Sequence, residues 1–290
     1  MLQVDKVPSY QPVLTQNPYQ PHMARIVRIY KMVENNHLFT LRFLDDNLAA
    51  SFRHQPGQFV MLSVPGAGEA PISISSSPSR PGILEFCIRR VGRVTNALYR
   101  MQTNDVVGIR GPYGNGFPIQ DIIGHDLLFA AGGLGMAPLR SLVWYALDNR
   151  DKFNRITLMC GSKSPADMLF REELVSLVDR TDMTCLLTVD RDPTGNWKNH
   201  VGLLPKLFDS AQIDPARTYA AVCGPPVVYR VVLQRLLDLG LPKDRILMSL
   251  ERRMKCGIGK CGHCNVGYKY TCLDGPIFTY WDALNLPEMI

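Results

Sequence analysis

The chain has 290 residues, 46% apolar and 20% charged, with 32 Lys and Arg against 26 Asp and Glu for a formal charge of +6. At about 150 residues per domain, that length predicts two globular domains, each with its own core, and excludes a peptide hormone, a disulfide-stapled miniprotein, a fibrous repeat and a disordered chain. The positive excess suits an acidic protein partner, an anionic cofactor or nucleic acid and does not by itself separate them. No window holds about 18 uncharged apolar residues and the N-terminus carries no basic-then-apolar signal pattern, so the chain reads as soluble and cytoplasmic.

Residues 1–22 carry four prolines and little periodicity, which predicts an arm lying on the domain or on a partner. From 23 to 120 the chain consists of short β-rich runs broken by turn signals: ARIVRIYKMV, HLFTLRFL, QFVMLSV, PISIS, ILEFCIRRV and DVVGI. That spacing predicts an antiparallel barrel or sandwich. VTNALYRM, Val94 to Met101, is a short helix capping an open end, and Gly111 to Pro118 marks a boundary. Between 121 and 250, short apolar strands alternate with helical stretches: DLLFAA, APLRSLVWYALDN, RITLMCG, ADMLFREELVSLV, MTCLLTV, TYAAVCG, VVYRVVLQRLLDLG and RILMSL. This alternation predicts parallel βα units in three layers. The last strand leads into a cysteine-rich segment and tail, 251–290.

Four of the eight cysteines crowd into that segment, and Cys256, Cys261, Cys264 and Cys272 have the spacing C-x4-C-x2-C-x7-C. The C-x4-C-x2-C run is the plant-type ferredoxin spacing for a [2Fe-2S] cluster. Glycines 257, 259 and 262 remove Cβ atoms beside such a cluster and free backbone N–H groups to point at its sulfurs. A structural zinc held by the same four thiolates is the alternative. His263 is expected to stand beside the site without binding the metal or to lie in solvent, because four thiolates complete either set.

LLFAAGGLGMAPLRSLV places Gly132, Gly133 and Gly135 between a strand and a helix opened by Ala137 and Pro138. Such a junction admits a pyrophosphate at the positive end of the helix dipole, although a Gly-rich turn also serves tight packing. A second turn, Cys223 to Pro226, is expected to border the same crevice at the carboxyl ends of the strands. APISISSSPSRPG and CIRRVGRVTNAL supply hydroxyls, backbone N–H groups and Arg89, Arg90 and Arg93 for an anionic ligand, or else a solvated strand face.

Together, GEAPISISSSP, VGRVTNALYR, RGPYGNGFP, GGLGMAPLRS, CGPP and ERRMKCGIGKCGHC resemble the ferredoxin–NADP reductase superfamily. Within it, they resemble the gamma subunits of cytosolic nickel–iron hydrogenases, the sulfhydrogenases. The resemblance implies an antiparallel flavin-binding β-barrel, a parallel-sheet nucleotide-binding α/β domain and a C-terminal iron–sulfur loop. It implies that Pro71, Ile72, Ser73 and Ile74 lie along the isoalloxazine and ribityl of FAD, and that Gly92, Arg93, Val94 and Thr95 form the pyrophosphate turn. Ala70 and Ile72 stand where the superfamily has an Arg and a Tyr, which leaves Arg89 or Arg93 to meet the phosphates. Gly132, Gly133, Gly135, Ala137 and Pro138 match one NAD(P) motif, and Cys223, Gly224 and Pro225 the other, with Cys223 beside the nicotinamide as the catalytic candidate. Ser162, Lys163 and Arg171 stand where the superfamily binds an adenosine 2'-phosphate, favouring NADP(H) over NAD(H), against which Asp190 and Asp192 weigh.

The implied route runs from NAD(P)H through FAD to the [2Fe-2S] cluster and out to iron–sulfur and nickel–iron subunits, with no nucleic acid and no membrane involved. Arg252, Arg253, Lys255, Lys260 and Lys269 form a basic collar suited to an acidic partner. The tail DGPIFTYWDALNLPEMI is apolar enough to pack on the cluster loop or on another subunit. The equivalent flavin- and cluster-bearing subunit of anaerobic sulfite reductase is the nearest alternative, and a zinc-stabilised nucleotide-binding interaction protein is the alternative of a different class.

Overall fold

A computed structural model describes residues 17–286. Most of the predicted arm therefore lies outside the described residues. Six strands, β1 (His22–Val33), β2 (Asn36–Phe43), β3 (Phe59–Val64), β4 (Gly68–Ser73), β5 (Leu84–Arg89) and β6 (Val106–Tyr113), form one antiparallel sheet in the order β4-β3-β6-β1-β2-β5. The chain just after β4 returns to the other edge, where Ser75 donates its N–H to the Glu85 carbonyl (2.8 Å) and the Ser76 hydroxyl accepts from Glu85 N–H (3.1 Å). That closure makes the sheet barrel-like. Ala24, Ile26, Phe39, Leu41, Val60, Leu62 and Phe86 alternate inward to fill it.

The predicted capping helix is α2 (Arg93–Leu98). Helix α1 (Asp46–Ser51) is an addition to the predicted elements, and Asp45 caps it by accepting from the N–H groups of Asn47 and Leu48. Strand β6 runs through Gly111-Pro112 into the string expected to be a boundary. The short helix α3 (Ile119–Ile122) follows.

Strands β7 (Asp126–Gly132), β8 (Ile156–Ser162), β9 (Thr184–Val189), β10 (His200–Val201), β11 (Thr218–Cys223) and β12 (Ile246–Ser249) form a parallel sheet. Helices α4 (Met136–Asp148) and α5 (Arg171–Val178) cover one face through Leu139, Leu142, Leu174 and Leu177, and α6 (Pro226–Asp238) covers the other through Val232, Leu233 and Leu236. Along β7 the two faces alternate: Leu127, Phe129 and Ala131 join the first core, Leu128 and Ala130 the second. Helix α5 starts later than its periodicity suggests because Phe170 adopts φ +55°, while Met168, Leu169 and Phe170 are buried as a plug against the sheet.

After the cysteine segment, which holds a small hairpin of β13 (Asn265–Val266) and β14 (Lys269–Tyr270), the tail packs back on that segment, with Asp282 paired to Lys269 (3.3 Å) and Phe278 buried beside Val266, and it also joins the α/β sheet. It forms β15 (Ile277–Thr279) antiparallel to β12, then α7 (Tyr280–Leu284), and Phe278 is buried in the α/β core. Its Ile277 and the linker's Asn115 bond reciprocally: Ile277 N–H donates to Asn115 Oδ1 (2.9 Å) and Asn115 Nδ2 to the Ile277 carbonyl (2.7 Å). No helix among the described residues is long and apolar enough to cross a membrane.

Candidate functional site

Direct strand partners share a face of a sheet, so the register of β4, β3 and β6 sorts the flavin-motif residues. Pro71 pairs with Met61, which pairs with Arg110, and Ser73 pairs with Phe59. Glu69, Pro71 and Ser73 therefore stand on one face with Phe59, Met61 and Arg110. Ile72 packs against the barrel core from the opposite face, and Ile74 is fully buried in that core, which leaves only its backbone for a ligand.

Gly92 opens α2 with nothing within 4 Å of where a Cβ would stand. The Thr95 hydroxyl is turned inward, accepting from the N–H groups of Val91 (3.0 Å) and Gly92 (2.9 Å), so it shapes the turn. Arg93 donates to the Gly66 carbonyl (2.8 Å), while Arg89 is exposed at the end of β5 and Val94 is half-buried. The open backbone at Gly92 and the half-buried edge of β4 fit a flavin nucleotide.

In the parallel sheet, β7 is the strand from which the order runs outward in both directions, a topological switch point. The structure brings both glycine turns together there. A Cβ on Gly135 would meet the Cys223 carbonyl oxygen at 2.1 Å, and one on Gly132 would meet Val228 at 2.5 Å, so these two glycines serve packing. Gly133 differs: it has φ +52° and open space beyond it, leaving backbone exposed before α4 for a pyrophosphate. Ala137 and Pro138 are buried inside the helix, whereas Gly224 is half-buried and Pro225 exposed.

Cys223 is buried and its thiol donates to the Ser249 carbonyl (3.5 Å), which also accepts from the Tyr229 hydroxyl (2.5 Å). Burial pushes the Cys223 thiol up to about 12, so it is a neutral, non-nucleophilic group at physiological pH. Glu251, two residues beyond Ser249, is exposed to solvent, and partial desolvation raises its carboxyl above the usual range. Tyr229 and Glu251 carry no sequence signal that marks them.

Lys163 and Arg171 are both exposed beyond β8, with Arg171 over the Trp197 ring (5.9 Å to the centroid), and Ser162 donates to the Ser164 carbonyl (2.8 Å). Asp192 is committed to its own turn, accepting from Trp197 N–H (2.8 Å) and from the Thr194 hydroxyl (2.8 Å).

The cysteine loop docks on the barrel face described above, where Phe59, Met61 and Tyr113 pack with Met254, Cys264 and Cys272. Cys264 and Cys272 are buried, Cys256 half-buried and Cys261 exposed. The Cys261 thiol lies beside Cys256, and the Cys272 thiol lies near both Cys264 and Cys256. The Cys256 sulfur accepts from the N–H groups of Lys260 (3.3 Å) and Ile258 (3.5 Å), and the Cys272 sulfur from Gly259 N–H (3.1 Å). Four thiols in a loop whose amides already point at sulfur fit an iron–sulfur cluster. His263 is exposed, with its ring beside the Cys261 carbonyl. Of the basic collar, Lys269 is tied to Asp282 (3.3 Å), while Arg253, Lys255 and Lys260 are exposed.

Two buried arginines carry no sequence signal either. Arg140 on α4 joins the domains, donating to the Ser75 carbonyl (3.0 Å), Glu85 (2.7 Å) and Glu173 (2.8 Å). Arg110 on β6 joins the barrel to the cysteine loop through the Cys256 carbonyl (3.0 Å).

Comparison with known proteins agrees with this division of labour. Residues 24–117 match an oxidoreductase FAD-binding domain, 129–234 an oxidoreductase NAD-binding domain, and 251–283 the iron–sulfur cluster binding domain of dihydroorotate dehydrogenase B. The chain is 46% identical over 281 residues to the sulfhydrogenase 1 gamma subunit of Pyrococcus furiosus, covering 94% of this chain and 96% of that one. It is 46% identical over 289 residues to the sulfhydrogenase 2 gamma subunit of the same organism, covering 94% and 100%. A probable dihydroorotate dehydrogenase B (NAD(+)) electron transfer subunit, also from P. furiosus, is 31% identical over 82% of this chain and 85% of its own. The fold matches that of a chain in the structure of an NADH-dependent reduced ferredoxin–NADP oxidoreductase, with TM-score 0.71, 23% identity and coverage of 89% and 88%.

The fold and these sites define a flavin- and nicotinamide-dependent oxidoreductase subunit that transfers electrons. The chain belongs to the family of sulfhydrogenase gamma subunits, within the ferredoxin–NADP reductase-like proteins.

Proposed function

We propose that this chain works in the cytoplasm, passing electrons between NADP(H) and the iron–sulfur and nickel–iron subunits of a soluble hydrogenase of the sulfhydrogenase type, through FAD and a [2Fe-2S] cluster. The observation that carries this reading is the shared sheet face: the cysteine loop is seated on Met61, one strand away from Pro71 of the flavin motif. FAD, when bound, accepts a hydride and releases electrons singly, which matches a two-electron carrier to a one-electron cluster.

The residues divide the remaining work. Pro71, Ile72, Ser73 and the backbone of Ile74 orient the flavin, and Gly92, Arg93, Val94 and the turn that Thr95 braces hold its phosphates, with Arg89 at the strand end. Gly135 brings the start of α4 close to β11 and Gly132 brings β7 close to α6, so that Gly133, at the mouth of α4, receives the nicotinamide nucleotide's pyrophosphate with Gly224 and Pro225 opposite. Ala137 and Pro138 stiffen the helix start. Cys223, kept protonated, orients the nicotinamide and moves no proton itself. Ser162, Lys163 and Arg171 receive the 2'-phosphate, a role supported by the commitment of Asp192 to its own turn. Cys256, Cys261, Cys264 and Cys272 hold the cluster, and exposed Arg253, Lys255 and Lys260, with Tyr268 and Leu273, receive an acidic partner subunit at its open side.

The test is an anaerobic visible and EPR titration of the purified chain with NADPH. Flavin bands near about 375 and 450 nm and a shoulder above about 500 nm, all bleaching, are expected. In Cys264→Ser the flavin bands bleach and the shoulder is missing. A colourless protein holding stoichiometric zinc, unchanged by iron and FAD, overturns the reading.

A further inference from the structure

Arg110 occupies an unusual place for a charge. It lies in the middle of the sheet face that carries both the flavin motif and the cysteine loop, and only 3% of it is exposed. Its donors have partners on three other parts of the chain. Nε and Nη2 grip both carboxylate oxygens of Glu69 (2.8 and 2.6 Å), two residues before Pro71 on β4. Nη1 donates to the Pro18 carbonyl (2.8 Å) and the Tyr113 hydroxyl (3.0 Å). Nη2 also donates to the carbonyl of Cys256 (3.0 Å). The same nitrogen therefore touches the flavin strand and the first cysteine, and the cation stands between the Glu69 carboxylate and the loop.

We propose that Arg110 is the positioning residue of the electron path: it pins the cysteine loop to the flavin-bearing strand and holds a buried positive charge beside Cys256 that favours the reduced cluster. The inference rests on the reading of Cys256 to Cys272 as an iron–sulfur site. A planar fork is what the arrangement demands, since a lysine ammonium carries charge but cannot grip a carboxylate bidentately while reaching two further carbonyls. Reduction adds one electron to the cluster, and a fixed cation in a water-poor setting stabilises that added charge while Glu69 only partly offsets it.

The experiment uses the anaerobically purified full chain and the variants Arg110→Gln and Arg110→Lys, each read in two ways. One is an EPR-monitored redox titration, and the other is hydrogen exchange at the amides of Ile258, Gly259 and Lys260, which now point at sulfur. Iron absent from the wild-type chain would remove the cluster reading itself, separately from this proposal. With iron present, Arg110→Gln is expected to be reduced about tenfold less readily, equivalent to about 59 mV for one electron. Both variants should exchange the loop amides at least about tenfold faster than wild type, with the β7 amides unchanged, and Arg110→Lys should keep the wild-type potential. If Arg110→Gln fails to hold iron, loop exchange in Arg110→Lys decides alone. An unchanged potential in iron-loaded Arg110→Gln, or wild-type loop exchange in Arg110→Lys, overturns the proposal.

Discussion

Met61 lies against Gly257 so closely that a Cβ on the glycine would stand 2.8 Å from Met61 Cγ and 3.2 Å from Tyr113 Cδ2. Gly257 also has φ +78°, a conformation that costs an L-residue roughly 1–2 kcal/mol. The loop beside Cys256 is thus fixed to the barrel at van der Waals distance by a residue that cannot carry a side chain.

Gly257→Ala is therefore expected to lower the iron content and the unfolding temperature together. Met61→Ala in the same chain should relieve the steric part of the defect and leave the backbone part. A double-mutant cycle on thermal unfolding separates the two, and full additivity of the single changes would show that the contact does not couple them.

Arg140 supports a second prediction, about how the two domains hold together. Its guanidinium is nearly inaccessible, whereas Glu85 and Glu173 keep 27% and 21% of their side chains exposed. Arg140→Met removes its donors from both carboxylates and from the Ser75 carbonyl, leaving Glu173 the N–H of Trp144 Nε1 (2.8 Å). Removing one member of a buried network costs about 3–5 kcal/mol, and the solvent reaching the carboxylates puts this case near the lower end. Calorimetry should resolve two transitions in the variant where the wild type shows one, and a single cooperative transition at the wild-type temperature would count against this role.

Periodicity makes most of the fold legible, because a half-buried barrel strand alternates and a covered parallel strand does not. DLLFAAG, RITLMCG and TYAAVC read correctly as strands because their apolar runs are short and end in glycine or cysteine turns. IFT at 277–279 is not legible: three residues carry no period, and only long-range pairing with β12 makes them a strand. The four cysteines are legible because ligand spacing is a local property. Arg110 and Arg140 are not, because an arginine's burial depends on acceptors tens of residues away. Phe170 shows the reverse failure, where a good helical pattern is overruled by the demand to plug the core.

Acid should weaken the fold through His54. Its ring is buried, Nε2–H donates to the Ser76 carbonyl (3.1 Å), and burial pushes its pKa from 6.5 down to about 4. Between those values the unfolded chain binds a proton that the folded chain refuses. Stability is therefore full above pH 6.5 and falls as pH drops toward about 4. The expected loss from about pH 7.5 to about pH 5 is about 2 kcal/mol by linkage. His54→Gln, which keeps a donor and cannot titrate, should flatten that part of the urea-stability profile. An identical acid slope in the variant would assign the loss to other groups.

Coenzyme choice rests on charge at the open end of β8. Lys163 is exposed there, and Arg171 is exposed at the start of α5 over Trp197. A site built for an unphosphorylated ribose more often presents a free carboxylate, but Asp192 is held by the N–H groups of its own turn, which also lower its carboxyl below the usual range. Asp190 is exposed nearby and would repel a 2'-phosphate, so the cations must outweigh it. Lys163→Glu converts an attraction for that phosphate into a repulsion and leaves the rest of the nucleotide contacts alone. NADPH should then reduce the flavin with kcat/KM lowered more than about tenfold, while NADH changes by less than about twofold. Equal losses with both coenzymes would show that Lys163 does not read the 2'-phosphate and remove the preference for NADP(H).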